Sequence, residues 1–397
     1  MRLLFINQKY KEKIIMKKVL SVFVVVCLVL AVFAGCGSKD NGATDQQKAD
    51  EVQALIEAIQ VQTRDENTDK ACADAKAAWD ALTDAQKALV PDGDYFARDT
   101  GDASLDDPRN ADGIGEKELL VVSFGTSFND SRVKDIKAIE DGLQAAYPDW
   151  SVRRAFTAQI IINHIQARDG EVIDNMDQAL QRAVDNGVKQ LVVQPTHLMQ
   201  GAEYDELVAA VNAYADKFES VAIADPLLGV VGSDATVINA DKERVAKAAV
   251  ADAVALAGAA SLDELAANGT AIVFMGHGTA HTAKVTYMQM QTMMDTLGYK
   301  NVFVGTVEGE PEGTSCEEII AKVKEAGYTK VILRPLMVVA GDHANNDMAG
   351  DEEDSWKSMF NADGSFESVD CQIVGLGRIL DVEVLYAEHT GAVINAK

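Results

Sequence analysis

The chain has 397 residues, of which 25% are charged, and its formal net charge is -26 at pH 7. This length supports one large or two medium domains, each with its own core. The acidic balance argues against a nucleic-acid-binding protein, because nucleic acids require a basic surface. The sequence has 5 cysteines and no CxxC pair, which disfavours a zinc ribbon or a dithiol redox site.

The amino terminus has the pattern of an export signal, predicted over residues 1–35. A basic segment starts at Met16, and residues 19–34 carry no charge. A basic start, a short apolar core and small residues before a cleavage site describe a signal peptide. The segment before Cys36 resembles a bacterial lipobox, with Phe33 in place of the commoner leucine, which implies lipid attachment to Cys36. A simply secreted protein and an uncleaved anchor are the alternatives.

Residues 36–116 are predicted to form a polar tether followed by a small helical extension. Apolar residues recur at helical spacing over 52–59, and a second helix is predicted over 68–82. Thr83 and Gln86 form a capping signature for a short third helix. The segment resembles a helical module of Gram-positive cell-surface proteins, which serves as a spacer or interaction unit. A plain helical hairpin that lifts the main domain off the membrane is the alternative.

The rest of the chain contains two similar halves. The apolar run 118–127 resembles the run 271–280, with Phe124 at the position of His277. A second pair of similar segments starts at Val188 and Tyr328 and aligns Glu203 with His343, Pro195 with Pro335 and Gly201 with Gly341.

Helical patterns separate the strands of both halves, as parallel sheets with crossover helices require. We therefore predict an α/β protein with two similar domains that face a cleft, each with a parallel sheet flanked by helices. The first domain is predicted at 117–240, and the second, with a long linking helix at 240–266, at 241–397. The other predicted helices are 131–146, 172–186, 285–297 and 315–326.

Three polar side chains follow three successive predicted strands of the second half. His277 ends the first strand, Glu308 lies at or just past the end of the second, and His343 follows the third. Because the carboxyl ends of parallel strands meet along one edge, these groups are predicted to converge. Two imidazoles and a carboxylate form a facial site for a divalent first-row metal, and neutral imidazoles can also accept protons.

Each of these groups has an alternative interpretation. Glu308 is also interpretable as a solvated turn carboxylate, with Glu310 and Glu312 as competitors, and His343 as a cap of the next turn. The segment from Asp347 to Asp354 holds five acidic residues, which are predicted to be a solvated start of a helix, with attraction of a metal ion as the alternative. The remaining histidines are left open: His281 as an aid to His277 or an exposed residue, His164 and His197 as cleft residues, and His389 as a surface or structural residue.

The motifs VVSFGTSFNDSR, MGHGTAH, VEGEP and GDHANNDMAGDEEDSWKS together resemble the anaerobic, CbiK-type cobalt chelatases of cobalamin synthesis. The resemblance runs from about Glu118 to near the carboxyl end. It implies the chelatase fold, a tetrapyrrole in the cleft, and insertion of a metal, commonly cobalt or iron, into sirohydrochlorin. Ligand type does not separate Co²⁺ from Fe²⁺, Ni²⁺ or zinc, because N/O sites bind all of them, and no organic cofactor is expected. The family's metal-handling His, Glu and His correspond to His277, Glu308 and His343. The export signal and the helical spacer depart from most relatives, which are cytoplasmic.

Sirohydrochlorin carries many carboxylates, so basic groups must offset the field of an acidic protein. Arg153 and Arg154 are predicted to bind the tetrapyrrole, and charge reversal there is expected to weaken binding. Ser127 and His197 are further predicted tetrapyrrole-binding residues. Arg132, Lys134 and Arg334 are additional basic candidates.

The expected partners are the tetrapyrrole, a divalent metal ion and, through the lipid anchor, a membrane. Nucleic acid is not expected, and a homo-oligomer is left open. Two other functions compete with a metal-inserting lyase. One is an extracytoplasmic protein that binds haem, another tetrapyrrole or a metal for uptake, and the other is an enzyme that removes metal from scavenged tetrapyrroles.

Overall fold

The computed structural model describes residues 44–396, so the predicted signal peptide and lipidation site lie outside the described part. These residues form two compact units. The first contains the described chain up to Asp99 together with Asn163–Gly170, and the second contains Thr100–Ile162 and the chain from Glu171 onward. Within residues 44–396, no helix combines the length and the apolar character that crossing a membrane would need.

The first unit is helical. The Thr83–Gln86 capping box is formed, and Ile56, Cys72 and Trp79 are buried in the unit's core. The ring of His164 stacks on Tyr95 with the centroids 3.8 Å apart, so His164 packs within this unit. The helices before Asp99 are Asp45–Ile59, Thr68–Asp80, Asp84–Lys87 and Asp94–Ala97.

The second unit contains two four-stranded sheets, both entirely parallel, ordered β2-β1-β3-β4 and β6-β5-β7-β8. The predicted α/β class with two similar parallel sheets is confirmed. The edge strands β4 and β8 lie outside the three strands predicted for each half, because each has only four residues and none of them is buried. The strands are β1 Lys117–Ser123, β2 Ser151–Phe156, β3 Gln190–Pro195, β4 Ser220–Ile223, β5 Thr270–Gly276, β6 Val302–Thr306, β7 Lys330–Pro335 and β8 Ser368–Cys371.

Helices cover the sheets, and the long linking helix predicted over 240–266 is wrong. It is two helices, because Gly258 adopts a positive φ of 69° after the first and Ser261 caps the second. The α-helices of the second unit are Asn129–Ser131, Ala138–Ala146, Met176–Asp185, Ala202–Tyr214, Ala240–Leu256, Leu262–Ala267, Val285–Thr296, Cys316–Glu325, Trp356–Asp363 and Leu380–Ile394. The helix Gln159–Asp169 begins in this unit and continues into the first. Two π-helical turns, Arg132–Lys137 and Ala344–Met348, complete this set.

The register of the second sheet sets the position of the candidate site. Every residue of β5 is buried. In the pairing, Gly276 lies opposite Thr306 of β6, and Met275 lies opposite Pro335 of β7. The three strands therefore end side by side, and the segments that follow them leave the sheet along the same edge.

Candidate metal centre

His277 is exposed because the chain turns sharply between two glycines at the end of β5. A Cβ on Gly276 would lie 2.3 Å from the Tyr287 ring, and one on Gly278 would lie 2.7 Å from Cβ of Glu308. Gly278 also has a φ of 95°, which side chains rarely allow. The Tyr287 hydroxyl accepts the Gly278 N–H at 3.1 Å, and burial raises the pKa of Tyr287, which keeps that hydroxyl neutral.

His343 meets His277 beyond the end of β7. The centroids of the two imidazole rings are 4.5 Å apart, and the ring planes cross at 75°. His343 directly precedes the π-helical turn Ala344–Met348. Its Nδ1 lies 2.6 Å from a carboxylate oxygen of Asp347, so the turn that follows β7 both carries the imidazole and orients it.

Both imidazoles have the hydrogen bonding of metal ligands. Nδ1 of His277 lies 2.7 Å from the carbonyl oxygen of Gly278, and Nδ1 of His343 lies against Asp347. Carbonyl and carboxylate oxygens can only accept, so each Nδ1 carries the proton. The Nε2 lone pairs are then available, and metal-binding histidines almost always donate their other N–H in this way.

Glu308 lies beside His277 through the main chain, since its N–H donates to the His277 carbonyl oxygen at 2.9 Å. Its competitor Glu310 is bound by Lys284 at 2.6 Å. Across residues 44–396, no group of three or more His, Cys, Asp or Glu side chains is arranged to hold a metal ion. The histidine pair is therefore what the fold brings together, and Glu308 as a third ligand stays a prediction.

Residues of the first half face this edge. Nε2 of His281 lies 3.4 Å from the carboxylate of Asp205, at the start of the helix Ala202–Tyr214. His197 has a 7% exposed side chain whose Nε2 lies 3.4 Å from Glu203, at ion-pair distance but without a hydrogen bond.

Ser127 and His389 are the remaining candidate residues. Ser127 is half-buried in the loop after β1, and its predicted tetrapyrrole contact, like that of His197, stays a prediction. His389 bonds the Asp225 carbonyl oxygen through Nδ1, which is a structural contact.

The prediction that Arg153 and Arg154 bind the tetrapyrrole is wrong. The two residues are adjacent on β2, so their side chains leave opposite faces of the sheet and cannot line one cleft together. Both are buried. Arg153 bonds Asp174 at 2.8 Å, and Arg154 bonds Glu140 and Asp106, each at 2.7 Å.

Buried charges require such partners, so these arginines serve the fold. Burial raises the pKa of Glu118 to about 7 even though Arg153 lies beside it. Of the other basic candidates, Arg132 and Arg334 are also fully buried, and Lys134 pairs with Asp130 on the surface.

The contact of Asp347 with the histidine pair is not part of the sequence prediction. The sequence predicts that Asp347 belongs to a solvated acidic segment, whereas its carboxylate, although 43% exposed, bonds the imidazole of His343. The signal was its position four residues after His343, a spacing that places two side chains on one face of a helical turn. Of the acidic segment 347–354, residues 351–354 lie just before the helix Trp356–Asp363, as the predicted start of a helix requires.

The chain matches the model of the family "Cobalt chelatase (CbiK)" over residues 117–395. It is 35% identical to the sirohydrochlorin cobaltochelatase of Salmonella typhimurium over 280 residues, which is 70% of this chain and 97% of the relative. It is 32% identical to the sirohydrochlorin cobaltochelatase CbiKC of Nitratidesulfovibrio vulgaris over 251 residues, 63% of this chain and 81% of the relative. SirB from Bacillus subtilis with Fe³⁺ aligns with a TM-score of 0.48 and 14% identity, covering 70% of this chain and 95% of SirB.

Arg154→Met should destabilise the protein strongly. Removing one partner of a buried ion pair typically costs about 3–5 kcal/mol, because Glu140 and Asp106 would be left buried without their counter-charge. Urea unfolding followed by tryptophan fluorescence measures the loss. Lys134→Met is the matched control, since an exposed pair contributes roughly 0–1 kcal/mol. If Arg154→Met had wild-type stability but bound the tetrapyrrole more weakly, the structural role of Arg154 would be contradicted and its role in tetrapyrrole binding supported.

Asp347→Ala should weaken Co²⁺ binding about 10–100-fold, the usual effect of removing the partner that orients a metal-binding histidine. The measurement is a Co²⁺ titration of the purified protein without tetrapyrrole. Asp342→Ala is the matched control, because Asp342 is an exposed neighbouring carboxylate bonded to Asn346. Equal losses in the two variants would mean that local charge, and not the bond to His343, determines the affinity.

Proposed function

Because this chain belongs to the cobalt chelatase (CbiK) family, we propose that it inserts a divalent metal ion, Co²⁺ or Fe²⁺, into sirohydrochlorin. The relatives of known name that it resembles are sirohydrochlorin cobaltochelatases. It is therefore an enzyme of the lyase class that takes the metal as a substrate. Imidazole and carboxylate groups bind cobalt, iron and nickel alike. The assay should therefore test Co²⁺ and Fe²⁺ separately.

The observation that supports this proposal is the contact between His277 and His343, with each Nδ1 occupied by an oxygen acceptor. Two Nε2 lone pairs on one sheet edge can hold a divalent cation while other coordination positions stay open to water or to a pyrrole nitrogen. A metal that is to be transferred requires such an incomplete protein shell.

The Nε2 atoms of His277 and His343 can also accept the protons that metal insertion releases. Insertion of a divalent cation displaces the two protons of the pyrrole N–H groups. Each Nε2 that releases the metal regains a lone pair and can accept one proton. Asp347 then stabilises the imidazolium of His343, and Glu308, held beside His277, offsets the second positive charge.

His277→Ala should abolish catalytic turnover. With sirohydrochlorin and Co²⁺ or Fe²⁺ in excess, absorbance should report many metallations per wild-type molecule and none above the uncatalysed rate in the variant. His389→Ala is the matched histidine control and should retain turnover, because His389 bonds the Asp225 carbonyl oxygen.

The assay also separates the competing functions. Binding of one tetrapyrrole per chain without turnover would contradict insertion and favour an uptake protein. Release of free metal from a metallated tetrapyrrole would favour a dechelatase.

We also propose that the protein is exported and lipid-anchored through Cys36. The support is the sequence alone: a basic start, an apolar core and the lipobox-like residues before Cys36, all outside the described residues. The helical unit that follows would then be the spacer or interaction unit that the sequence predicts.

Cys36→Ser should move the protein out of the membrane fraction and prevent labelling by a fatty-acid analogue in a bacterial host. Cys27→Ser is the matched control, since Cys27 lies within the predicted signal peptide and should not carry the lipid. Label that persists in Cys36→Ser, or that is lost in Cys27→Ser instead, would contradict the assignment.

A further inference from the structure

The loop that carries His343 is held by side chains of the other half of the unit. The N–H of Ala340 donates to the carboxylate of Asp135 at 2.9 Å, and the carbonyl oxygen of Ala340 accepts from Ser131 Oγ at 2.6 Å. Ser131 and Asp135 both lie in the helical segment after β1, and both are buried. Ala340, three residues before His343, is thus anchored through the peptide groups on both sides of its Cα, by its N–H on one side and its C=O on the other.

The segment 375–378 also contacts the Asp135 carboxylate. Nε of Arg378 donates to Asp135 at 2.5 Å, so the buried charge has a counter-charge. A Cβ on Gly375 would lie 2.4 Å from the Asp135 carboxylate, and one on Gly377 would lie 2.5 Å from the Asp135 carbonyl oxygen. The absence of side chains at both glycines therefore allows the close approach.

The backbone of that segment also pairs with the His343 loop. The N–H groups of Leu376 and Gly377 donate to the carbonyl oxygens of Met337 and Val338 at 2.9 and 2.8 Å. The loop between β7 and His343 thus lies between the 375–378 turn and the segment after β1.

The segment after β1 also reaches the residue beyond Ala340. A Cβ on Gly341 would lie 3.0 Å from Oγ1 of Thr126, so the end of β1 packs against the loop as well. Asp135 lies in the π-helical turn Arg132–Lys137. Such turns occur often at functional sites, and here the turn presents a carboxylate to the neighbouring half. Thr126 directly precedes Ser127, one of the predicted tetrapyrrole-binding residues, so the segment that packs against the His343 loop also carries Ser127.

We propose that Ser131 and Asp135 are positioning residues for His343, so that the first half of the α/β unit sets the place of a metal-binding imidazole carried by the second. This inference rests on the proposed role of His343 in holding the metal substrate. Its physical basis is that the peptide groups before and after Ala340 are both anchored, which restricts rotation about the backbone bonds of Ala340, and that only Gly341 and Asp342 separate Ala340 from His343. A displacement of the segment after β1 would therefore move the imidazole.

Ser131→Ala tests the inference in a double-mutant cycle with His343→Ala, read out as the affinity for Co²⁺ alone. In the wild-type background, Ser131→Ala should weaken Co²⁺ binding about tenfold, as loss of an orienting contact does. In the His343→Ala background it should change the affinity less than about twofold, because the imidazole through which it acts is gone. A merely structural role would give the same loss in both backgrounds.

Two further variants serve as a matched control and as a second test of the positioning role. Thr390→Val removes a different buried hydroxyl, which bonds Gln194, and should leave Co²⁺ affinity unchanged. Asp135→Asn keeps the side-chain volume and should weaken Co²⁺ binding in the same His343-dependent way, which covers the case in which Ser131→Ala fails to fold.

The outcomes separate the two claims. Wild-type Co²⁺ affinity in Ser131→Ala and Asp135→Asn, or equal losses with and without His343, would overturn the positioning role alone. A wild-type protein that binds no Co²⁺ would instead overturn the proposed metal site.

Discussion

The edge-on contact between His277 and His343 is the interaction on which the rest of the site depends. It exists because β5 and β7 are parallel neighbours that end at one edge, so side chains 66 positions apart in the sequence meet where the chain leaves the sheet. Gly276 and Gly278 allow the turn at His277, and Asp347 and the Gly278 carbonyl group hold the two Nδ1 atoms. The two hydrogen bonds at Nδ1 leave the lone pair of each neutral imidazole on Nε2, as the proposed metal site requires.

The two halves of the α/β unit share a topology and differ in chemistry. β1 corresponds to β5 and β3 to β7 in the order of their sheets. At the positions of His277 and His343, the first half has Phe124, which is 43% exposed, and Glu203. The second half therefore supplies the imidazoles, while the first supplies an exposed aromatic ring, acidic side chains and the contacts that hold the loop before His343.

The central strands and the meeting of His277 and His343 could be predicted from the sequence. Apolar runs ending in glycine identified the central strands, and parallel topology brought His277 and His343 to one edge. The directions in which the side chains of Arg153 and Arg154 point could not be predicted from the sequence in the same way. Arg153 and Arg154 look like an exposed basic pair in the sequence, yet alternation along β2 sends them to opposite faces, where Asp174 and Glu140 bind them. The partners of such buried charges are distant in the sequence, and no local pattern reveals them.

X-ray absorption spectroscopy of the protein loaded with Co²⁺ alone tests the central claim most directly, because it counts imidazole ligands without depending on turnover. The account predicts two imidazoles per cobalt ion, with one lost in His343→Ala and one lost in His277→Ala. A cobalt ion surrounded only by oxygen atoms, or a spectrum unchanged by both substitutions, would contradict it.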